Sequence, residues 1–471
     1  MKKRIASVTL AAALFTSLLA GCGGTGSSSN SANASSAGAS ASGSGTVSAA
    51  SASAVDTDVE NREYKDVNIT IYTRMDTSTK KGQWFTQMLD DFQKEYPGIT
   101  VENIMTPTEA DYLDAEAVMM SDPSSMPNIF EEYGGSRVLD YIQAGNIVSM
   151  QPYFDADQKW TSTFNNTGWG LADFSDYGIE GYYGVPQNGY FVTLYYNEDL
   201  LKQGGVDPAS IKSWDDLMDA CKTLKSAGIQ PFEMGEKDNY RFGHLHTVLN
   251  YKTYGCDIAK KLGNDEVSYD GEEETAIYQM MIDAYKEGYL GTNLLGMDDG
   301  QEREMFNTGK TAFLFMGSWY ASECEDGTHE LYNNKKIHAL AFPYVDEKYA
   351  DNDMGGGNEC YYVANTGNED EIAASVLLLK YMTSVEQVNK LLKEYPEISC
   401  VNGTVEMNNY LLNEVMDIMQ NSKEMRGDIE NYDSQQHMIN TVRNALQGIP
   451  TGMTAEEVGK NIIDTSKQYE G

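Results

Sequence analysis

The feature that most constrains the fold is a change of hydrophobic period within residues 67–101. Apolar residues first alternate at 67, 69 and 71, as they do in a half-buried strand. They then recur at helical spacing, and strand character returns at 99–101. The helical set is Trp84, Phe85, Met88, Leu89 and Phe92. A strand, a helix and a strand in this order predict a βαβ unit and therefore an α/β fold.

Further elements follow along the body. Capping signals predict helix starts at Ser213, Ser384 and Thr454. We expect a helix at 112–120, strands at 128–130, 313–315, 340–342 and 361–363, and nearly continuous helix from Asn408 onward. The last stretch carries one apolar stripe, formed by Leu411, Leu412, Val415, Met416 and Met419. Because no repeat or internal linker divides the body, any two domains must be built from alternating segments.

The N-terminus has the order of regions found in an export signal. Basic residues at 2–4 precede an apolar run at 5–20, which ends in Leu-Ala-Gly-Cys at 19–22. The run is short for a membrane span, although a retained anchor helix is the alternative. The ending resembles the lipobox of bacterial lipoproteins, which implies a signal peptide at 1–21 and lipid modification of Cys22. We therefore expect anchoring on the extracytoplasmic side of the cell membrane.

Residues 23–54 are almost entirely Ser, Ala, Gly, Asn and Thr. Such a segment lacks the apolar residues that a core requires, so it predicts a flexible tether. We place the tether at 22–60 and the start of the folded body at 61.

Composition limits the partners and cofactors. Lys+Arg 34 against Asp+Glu 71 gives a formal net charge of -37, which excludes nucleic acid as a plausible partner. Apart from Cys22, five cysteines remain without CxxC spacing, so they predict no complete disulfide framework. His244 and His246 are poorly spaced for a shared metal ion. We expect no metal and no other cofactor.

Short motifs resemble extracellular solute-binding protein family 1, the sugar-binding proteins of bacterial ABC importers. They occur in the family's order along the body. They are FQKEYPGITV at 92–101, MPNIF at 126–130, YGVP at 183–186, LYYNEDLL at 194–201, SWDDL at 213–217, FNTGKTA at 306–312, GSW at 317–319 and FP at 342–343. One departure is Asn128, where the family usually has aspartate.

The resemblance implies two α/β lobes joined by a hinge, a periplasmic-binding-protein-like fold with the ligand in the interlobe cleft. Lobe one would comprise residues 61–185 with 343–400, and lobe two residues 186–342 with 401–471. The chain would cross near Val185 to Gln187, near Phe342 and Pro343, and again before Asn402. The implied partners are a carbohydrate and the transmembrane permease of the importer, and we expect a monomer.

Candidate ligand-binding residues come from two arguments. Loops at the carboxyl ends of strands line clefts in open α/β sheets, which nominates Arg74, Asp76, Glu131, Glu132 and Tyr133. The resemblance nominates Asn188, Tyr190, Glu236, Tyr240 and Trp319. A sugar ring is bound by aromatic side chains that stack on its apolar face and by polar groups that hydrogen-bond to paired hydroxyls. Trp319 is the leading candidate, although it could instead be a core residue, and the tyrosines and acids could be surface or capping groups.

The glycine run at 355–357 lacks the Lys-Ser/Thr of a phosphate loop. We interpret it as a turn at the cleft edge, with Asn358 and Glu359 as further candidates. No ATP-binding motif appears.

Two other functions compete with the transport of a sugar. A secreted glycoside hydrolase would also be rich in acids and aromatics, but no paired-carboxylate or nucleophile motif is visible, so we expect no enzyme activity. Some relatives in the family bind glycerol phosphate esters. Because Arg74 is the only cation among the candidates, a neutral sugar is favoured.

Overall fold

The computed structural model describes residues 55–122 and 125–469. The strands are β1 (Val67–Thr73), β2 (Ile99–Met105), β3 (Ile129–Glu132), β4 (Gly184–Asn197), β5 (Phe313–Gly317), β6 (Ile337–Leu340), β7 (Asn352–Val363), β8 (Ile398–Ser399) and β9 (Glu424–Arg426).

The α-helices alternate with these strands. They are α1 (Lys80–Glu95), α2 (Glu109–Met120), α3 (Ser136–Gln143), α4 (Gln151–Ala156), α5 (Gln158–Thr161), α6 (Asn166–Trp169), α7 (Glu198–Gly204), α8 (Trp214–Ser226), α9 (Arg241–Tyr254), α10 (Ile258–Gly263), α11 (Glu272–Lys286), α12 (Asp299–Asn307), α13 (Trp319–Glu323), α14 (Glu330–Asn333), α15 (Glu369–Met382), α16 (Val385–Glu394), α17 (Tyr410–Met419), α18 (His437–Leu446) and α19 (Ala455–Ser466). Short 3-10 helices are Ser175–Tyr177, Pro208–Ser210, Leu294–Gly296, Cys324–Asp326, Glu347–Tyr349, Ile429–Tyr432 and Ile449–Thr451.

The predicted βαβ unit is confirmed. β1 runs parallel to β2 in one register from Val67 opposite Ile99 to Thr73 opposite Met105, and β3 adds a further parallel strand on the other side of β1. α1 begins after Thr79, whose hydroxyl accepts the backbone N–H of Gly82. The helix buries the apolar stripe that the sequence indicated, because residues three and four apart share one face.

The capping signals also mark helix starts in the structure. Ser213 and Asp216 form a reciprocal capping box at α8, and Thr454 and Glu457 form another at α19. Ser384 accepts the backbone N–H of Gln387 at the start of α16. Asn128, the departure from the family pattern, accepts the backbone N–H of Thr70 and so joins the β3 end to β1.

Two long strands connect the lobes. β4 and β7 run antiparallel, with Gly184 opposite Tyr362 at one end and Phe191 opposite Gly355 at the other. Through their lobe-one ends they extend the sheet in the order β2-β1-β3-β7-β4, and through its other end β4 pairs with β5 and β6. The glycine run at 355–357 is therefore part of strand β7, and its interpretation as a turn is wrong.

Those glycines allow close approach of the backbone. A Cβ on Gly355 would lie 2.8 Å from the carbonyl oxygen of Tyr190, and one on Gly357 would lie 3.0 Å from that of Thr167. Gly356 has φ +129, a conformation that side chains rarely permit. The absence of side chains thus permits β7 to lie close to β4 and to α6.

Each lobe has its own buried cores. One lobe-one core packs β1, α1 and α15 around residues such as Ile71, Phe85 and Leu378, and a second lies on the other sheet face around Phe130. Lobe two has one core around α8, α9 and α11 and another between β5 and α17. The chain is therefore a two-lobed α/β protein, as expected.

The segment after Met419 differs from the expected helix. Residues 420–436 contain β9 and a 3-10 helix at Ile429–Tyr432 before α18 begins. β9 pairs in parallel with Asn352 to Met354 of β7, so this segment completes the sheet instead of continuing α17. The stripe that includes Leu411, Leu412 and Val415 does lie in α17 and is buried.

Packing at the segment boundaries differs from the predicted positions. Val59 is buried in the lobe-one core, so the body includes residues that we assigned to the tether. Phe342 lies in a lobe-two core as assigned, but Val345 also packs against that core, so the chain stays in lobe two beyond the predicted crossing and returns to lobe one through β7. The backbone N–H of Asn402 donates to Thr163, so the chain remains against lobe one after residue 401.

The predicted signal peptide, Cys22 and most of the tether lie outside the described residues. Within the described ranges, no helix is both long and apolar enough to cross a membrane. The five cysteines there are buried free thiols, namely Cys221, Cys256, Cys324, Cys360 and Cys400.

Candidate functional site

A first group of candidate residues gathers at the carboxyl ends of β1 and β3. Arg74 Nε donates to Glu131 Oε1 at 3.2 Å, and Arg74 Nη2 lies 3.1 Å from Glu359 Oε1. The guanidinium also stacks over the ring of Tyr133, 4.2 Å from its centroid. Four predicted residues are thus in direct contact, because parallel strands end at the same edge and β7 lies beside β3.

Glu132 points to a second cation of lobe one. Its Oε1 lies 3.9 Å from Nε of Arg137, and its carboxyl accepts the backbone N–H of Tyr133 at 2.6 Å. Burial, followed by the neighbouring Glu132 charge, raises the pKa of Glu116 well above its ordinary value. Glu116 therefore holds its proton more tightly than an exposed glutamate does.

The hinge strands add polar groups. Asn188 lies at a register shift in β4, an irregularity of the kind that redirects side chains. Its Nδ2 donates to Glu397 Oε2 at 3.3 Å, and the same oxygen lies 2.8 Å from Nζ of Lys81. Gln187 Nε2 donates to Glu131 at 3.1 Å and so links the hinge to the first group.

Trp319 begins α13, immediately after β5. A Cβ on Gly317 would lie 1.9 Å from the Trp319 ring, so the glycine of the Gly-Ser-Trp motif is needed to let the ring fold back over the strand end. The indole is half-buried, with Tyr190 at 6.4 Å and His244 at 6.0 Å between ring centroids. Three aromatic side chains thus form one cluster in lobe two, in which Tyr190 and His244 are buried and the indole is half-buried.

Tyr240 adjoins this aromatic cluster, whereas Glu236 lies inside the lobe. The Tyr240 ring meets His244 edge-on at 5.0 Å, and its hydroxyl donates to Asp299 at 2.7 Å. Glu236 is fully buried, and its Oε2 accepts the backbone N–H of Phe242 at 2.7 Å in the first turn of α9. Burial raises the pKa of Glu236 to about 8. Its carboxyl therefore supports the helix start from inside the lobe.

Three charged residues that sequence reasoning missed complete the lobe-two side. Asp428 Oδ1 lies 2.7 Å from Nη2 of Arg443 and 3.4 Å from Nε2 of His244, and Tyr190 donates its hydroxyl to Asp428 at 3.4 Å. Arg443 also forms an ion pair with Glu430. Burial would raise the pKa of Asp428, but His244, Arg443 and Arg137 hold it well below its usual range.

The two lobes meet beside these groups. Gln436 Nε2 donates to the carbonyl oxygen of Arg137 at 3.0 Å, and Tyr177 donates its hydroxyl to the carbonyl of Asn431. A Cβ on Gly135 would lie 2.8 Å from that Asn431 oxygen. The positive charge of Arg137 in lobe one helps to lower the pKa of Asp428 in lobe two. Charged groups of the two lobes therefore face one another across the cleft.

The candidate residues therefore fall into two groups and three outliers. Arg74, Glu131, Tyr133 and Glu359 form the lobe-one group, with Glu132 and Asn188 at its margins. Tyr190, Tyr240 and Trp319 form the lobe-two group. Asp76 accepts the backbone N–H of Ser78 in the turn before α1, Asn358 lies half-buried in β7, and Glu236 lies inside lobe two.

The two histidines serve different networks. His244 contacts Asp428, whereas His246 Nε2 lies 2.5 Å from Glu274 Oε2 within the lobe-two core. In the part of the chain that the structure describes, no group of three or more His, Cys, Asp or Glu side chains could hold a metal ion.

Two of the solved structures with the same fold have a sugar ligand in their descriptions. A chitin oligosaccharide binding protein matches with a TM-score of 0.75 at 19% identity, covering 86% of this chain and 98% of that one. The maltose-bound structure of T. maritima MalE3 matches with a TM-score of 0.67 at 18% identity, covering 86% and 100% of the two chains. At these identities the likeness concerns the fold.

Sequence relatives have related descriptions. An uncharacterized ABC transporter extracellular-binding protein of Pyrococcus horikoshii is 23% identical over 237 residues, which is 50% of this chain and 52% of the relative. An arabinooligosaccharide-binding protein of Halalkalibacterium halodurans is 25% identical over 224 residues, 47% and 48% of the two chains. The chain thus spans about half the length of the curated relatives it matches.

The family model described as bacterial extracellular solute-binding protein matches residues 76–389. This range runs from the start of α1 through both hinge strands to α16, and so covers most of the two lobes. The chain belongs to the family of bacterial extracellular solute-binding proteins.

Proposed function

We propose that the protein is the ligand-capturing component of an ABC importer and that it binds a sugar or oligosaccharide between its lobes. The observation that carries the proposal is the half-buried Trp319, which lies with Tyr190 and His244 in the aromatic cluster of lobe two beside Asp428. An indole face suits the apolar C–H face of a sugar ring, and carboxylates and amides suit its hydroxyls. The descriptions of the relatives and neighbours agree with this ligand class.

The hinge between the lobes provides the means by which the bound sugar is presented to a permease. A ligand that contacts both lobes shifts the equilibrium between open and closed forms by its preference for the closed one. The permease would recognise the closed form. The signal peptide would direct export, and the lipidated Cys22 would hold the mature protein on the outer side of the cell membrane. Deletion of the permease genes should abolish uptake of the sugar while leaving binding to the purified protein intact.

We expect purified protein to melt at a higher temperature with one class of sugar. A ligand that binds only the folded state adds RT ln(1 + [L]/Kd), about 2.7 kcal/mol at roughly a hundredfold excess over Kd. The measurement is a thermal melt against mono- and oligosaccharides, with a glycerol phosphate ester included. If only the phosphate ester shifts the melt, the sugar assignment is wrong.

We also propose that the protein is not an enzyme. Nearly all of the carboxylates in the cleft are engaged in ion pairs or hydrogen bonds, and each of the Glu131 oxygens already accepts from Arg74 or Gln187. An oligosaccharide incubated with the protein should be recovered at its original length by chromatography. Shorter products that disappear with a cleft variant would support the hydrolase instead.

A further inference from the structure

The cleft follows the carboxyl ends of the lobe-one strands, so it has two sides. α1 packs on one face of that sheet, in the core around Phe85, and α3 packs on the other face, in the core around Phe130. Both helices begin near strand ends, α1 after β1 and α3 after β3. A ligand that lies across the strand ends therefore points toward an α1 side and an α3 side.

On the α3 side the two lobes touch directly. Tyr177 of lobe one donates its hydroxyl to the carbonyl oxygen of Asn431 in lobe two, and Gln436 of lobe two donates to the carbonyl oxygen of Arg137 at 3.0 Å. Gly135 lies against the same Asn431 oxygen, where a Cβ would come within 2.8 Å. We call these five residues the lobe bridge. Backbone groups in such close contact leave no opening for a sugar ring between the lobes.

The lobe bridge adjoins the binding groups of both lobes. In lobe one it follows Tyr133 in sequence, and the guanidinium of Arg137 lies over the Tyr133 ring, 5.2 Å from its centroid. In lobe two Asn431 belongs to the 3-10 helix Ile429–Tyr432, which begins next to Asp428. The lobe bridge therefore borders the site itself and closes it on the α3 side.

The groups of lobe two run from the lobe bridge toward the α1 side. His244 contacts Asp428 and also the Trp319 ring, so the indole lies one residue further from the lobe bridge. From Trp319, α13 leads to Glu325 in the following 3-10 helix. Burial raises the pKa of Glu325, and the positive charge of Lys80 at the start of α1 opposes that rise. Trp319 therefore lies between the lobe bridge and the α1 side.

The α1 side keeps space beside the site. A recess lies there between α1, α16 and the hinge, and its lining includes Lys81, Trp84, Gln187 and Glu397. Gln187 donates to Glu131 of the lobe-one group, so the recess adjoins the site. Lys80, the first residue of α1, is exposed to solvent. The room for further sugar units is therefore on this side.

From the lobe bridge on one side and the space on the other, we infer that the cleft binds a sugar chain by one end. The terminal unit lies next to Trp319 against the lobe bridge, and further units extend past the start of α1. Internal segments of a polymer do not fit, because they would need an opening on both sides. The inference rests on the proposed sugar-binding function and states which part of a carbohydrate the same site recognises.

The test compares two derivatives of one ligand. Once melts have identified a sugar that binds, calorimetry with the full chain measures Kd for derivatives that carry a phenyl group at the reducing end or at the non-reducing end. We expect one derivative to bind within ~3-fold of the parent sugar and the other at least ~30-fold more weakly, because the second binds only when the lobes stay apart. Equal tolerance or equal rejection of the two derivatives overturns the inference while the sugar-binding function stands.

Variants of the lobe bridge connect the rejection to this contact. Tyr177→Ala removes a ring and a hydroxyl from it, so the rejected derivative should recover at least ~5-fold in affinity relative to the parent sugar. Gln436→Ala, on an exposed side chain, should give a smaller recovery in the same direction. Tyr96→Ala removes a tyrosine that packs on Phe92 at the far end of α1, and it should leave the ratio unchanged. If neither bridge variant recovers the rejected derivative, the inference is wrong. Failure of every sugar overturns the proposed function itself.

Discussion

Replacing Trp319 by alanine should weaken sugar binding at least ~30-fold, equivalent to about 2 kcal/mol. The indole is held over Gly317 beside Tyr190 and His244, so its loss removes the largest flat surface of the lobe-two group. Trp319→Phe keeps a ring of smaller area and should lose less affinity. Calorimetric titration of the three proteins with the best sugar gives the comparison.

Trp169 provides a matched control. It is also half-buried, but it packs in lobe one against Phe154 and Tyr182, with ring centroids at 5.1 and 4.5 Å. Trp169→Ala should lower the melting temperature without changing Kd, because the lost contacts are internal. If Trp319→Ala binds the sugar with unchanged affinity, Trp319 is not part of the binding site.

Replacing Glu236 by glutamine should stabilise the protein progressively as pH rises. Burial raises the pKa of Glu236 to about 8, above its ordinary value of 4.5. The folded state therefore holds the proton more tightly than the unfolded state does. This contribution to stability is complete below the unfolded pKa and is lost as pH rises through the folded pKa. Glutamine resembles the protonated form and avoids the loss.

Urea unfolding at several pH values measures the effect. Between about pH 5 and pH 8, the free energy of unfolding of Glu236→Gln minus that of the unchanged protein should increase by up to about 1.4 kcal/mol per pH unit. Glu386→Gln should show no such trend, because that side chain is exposed. A gap that stays constant with pH would mean that Glu236 is ionised in the folded state throughout.

The sequence predicted elements whose signals are local. Apolar spacing located β1, α1 and β2, and side chain to backbone caps marked the starts of α8 and α19. α9 was missed because it is buried on nearly all sides, from Arg241 to Lys252, so it has no amphipathic period. The strand character of the glycine run at 355–357 depends on the approach of β4, which no local pattern reveals.

The sequence could predict those site residues that lie at the carboxyl end of a strand. Arg74 follows β1, Glu131 lies near the end of β3 and Tyr133 follows β3, and the structure brings the three together. Asp428 and Glu430 escaped prediction because the segment around them was taken for helix, and Arg443 because its partners lie 15 and 13 residues away in sequence. The sequence therefore predicted one cation at the site, whereas the structure pairs four.

Equilibrium dialysis of the purified protein with a labelled oligosaccharide tests the central claim most directly, because it measures stoichiometry and the fate of the ligand together. A protein that captures sugar between its lobes should bind one molecule per chain and release it chemically intact. The dissociation constant should be on the order of micromolar, which corresponds to a binding free energy of about −8.2 kcal/mol. Absence of binding across the oligosaccharide classes, or recovery of a cleaved ligand, would contradict the account.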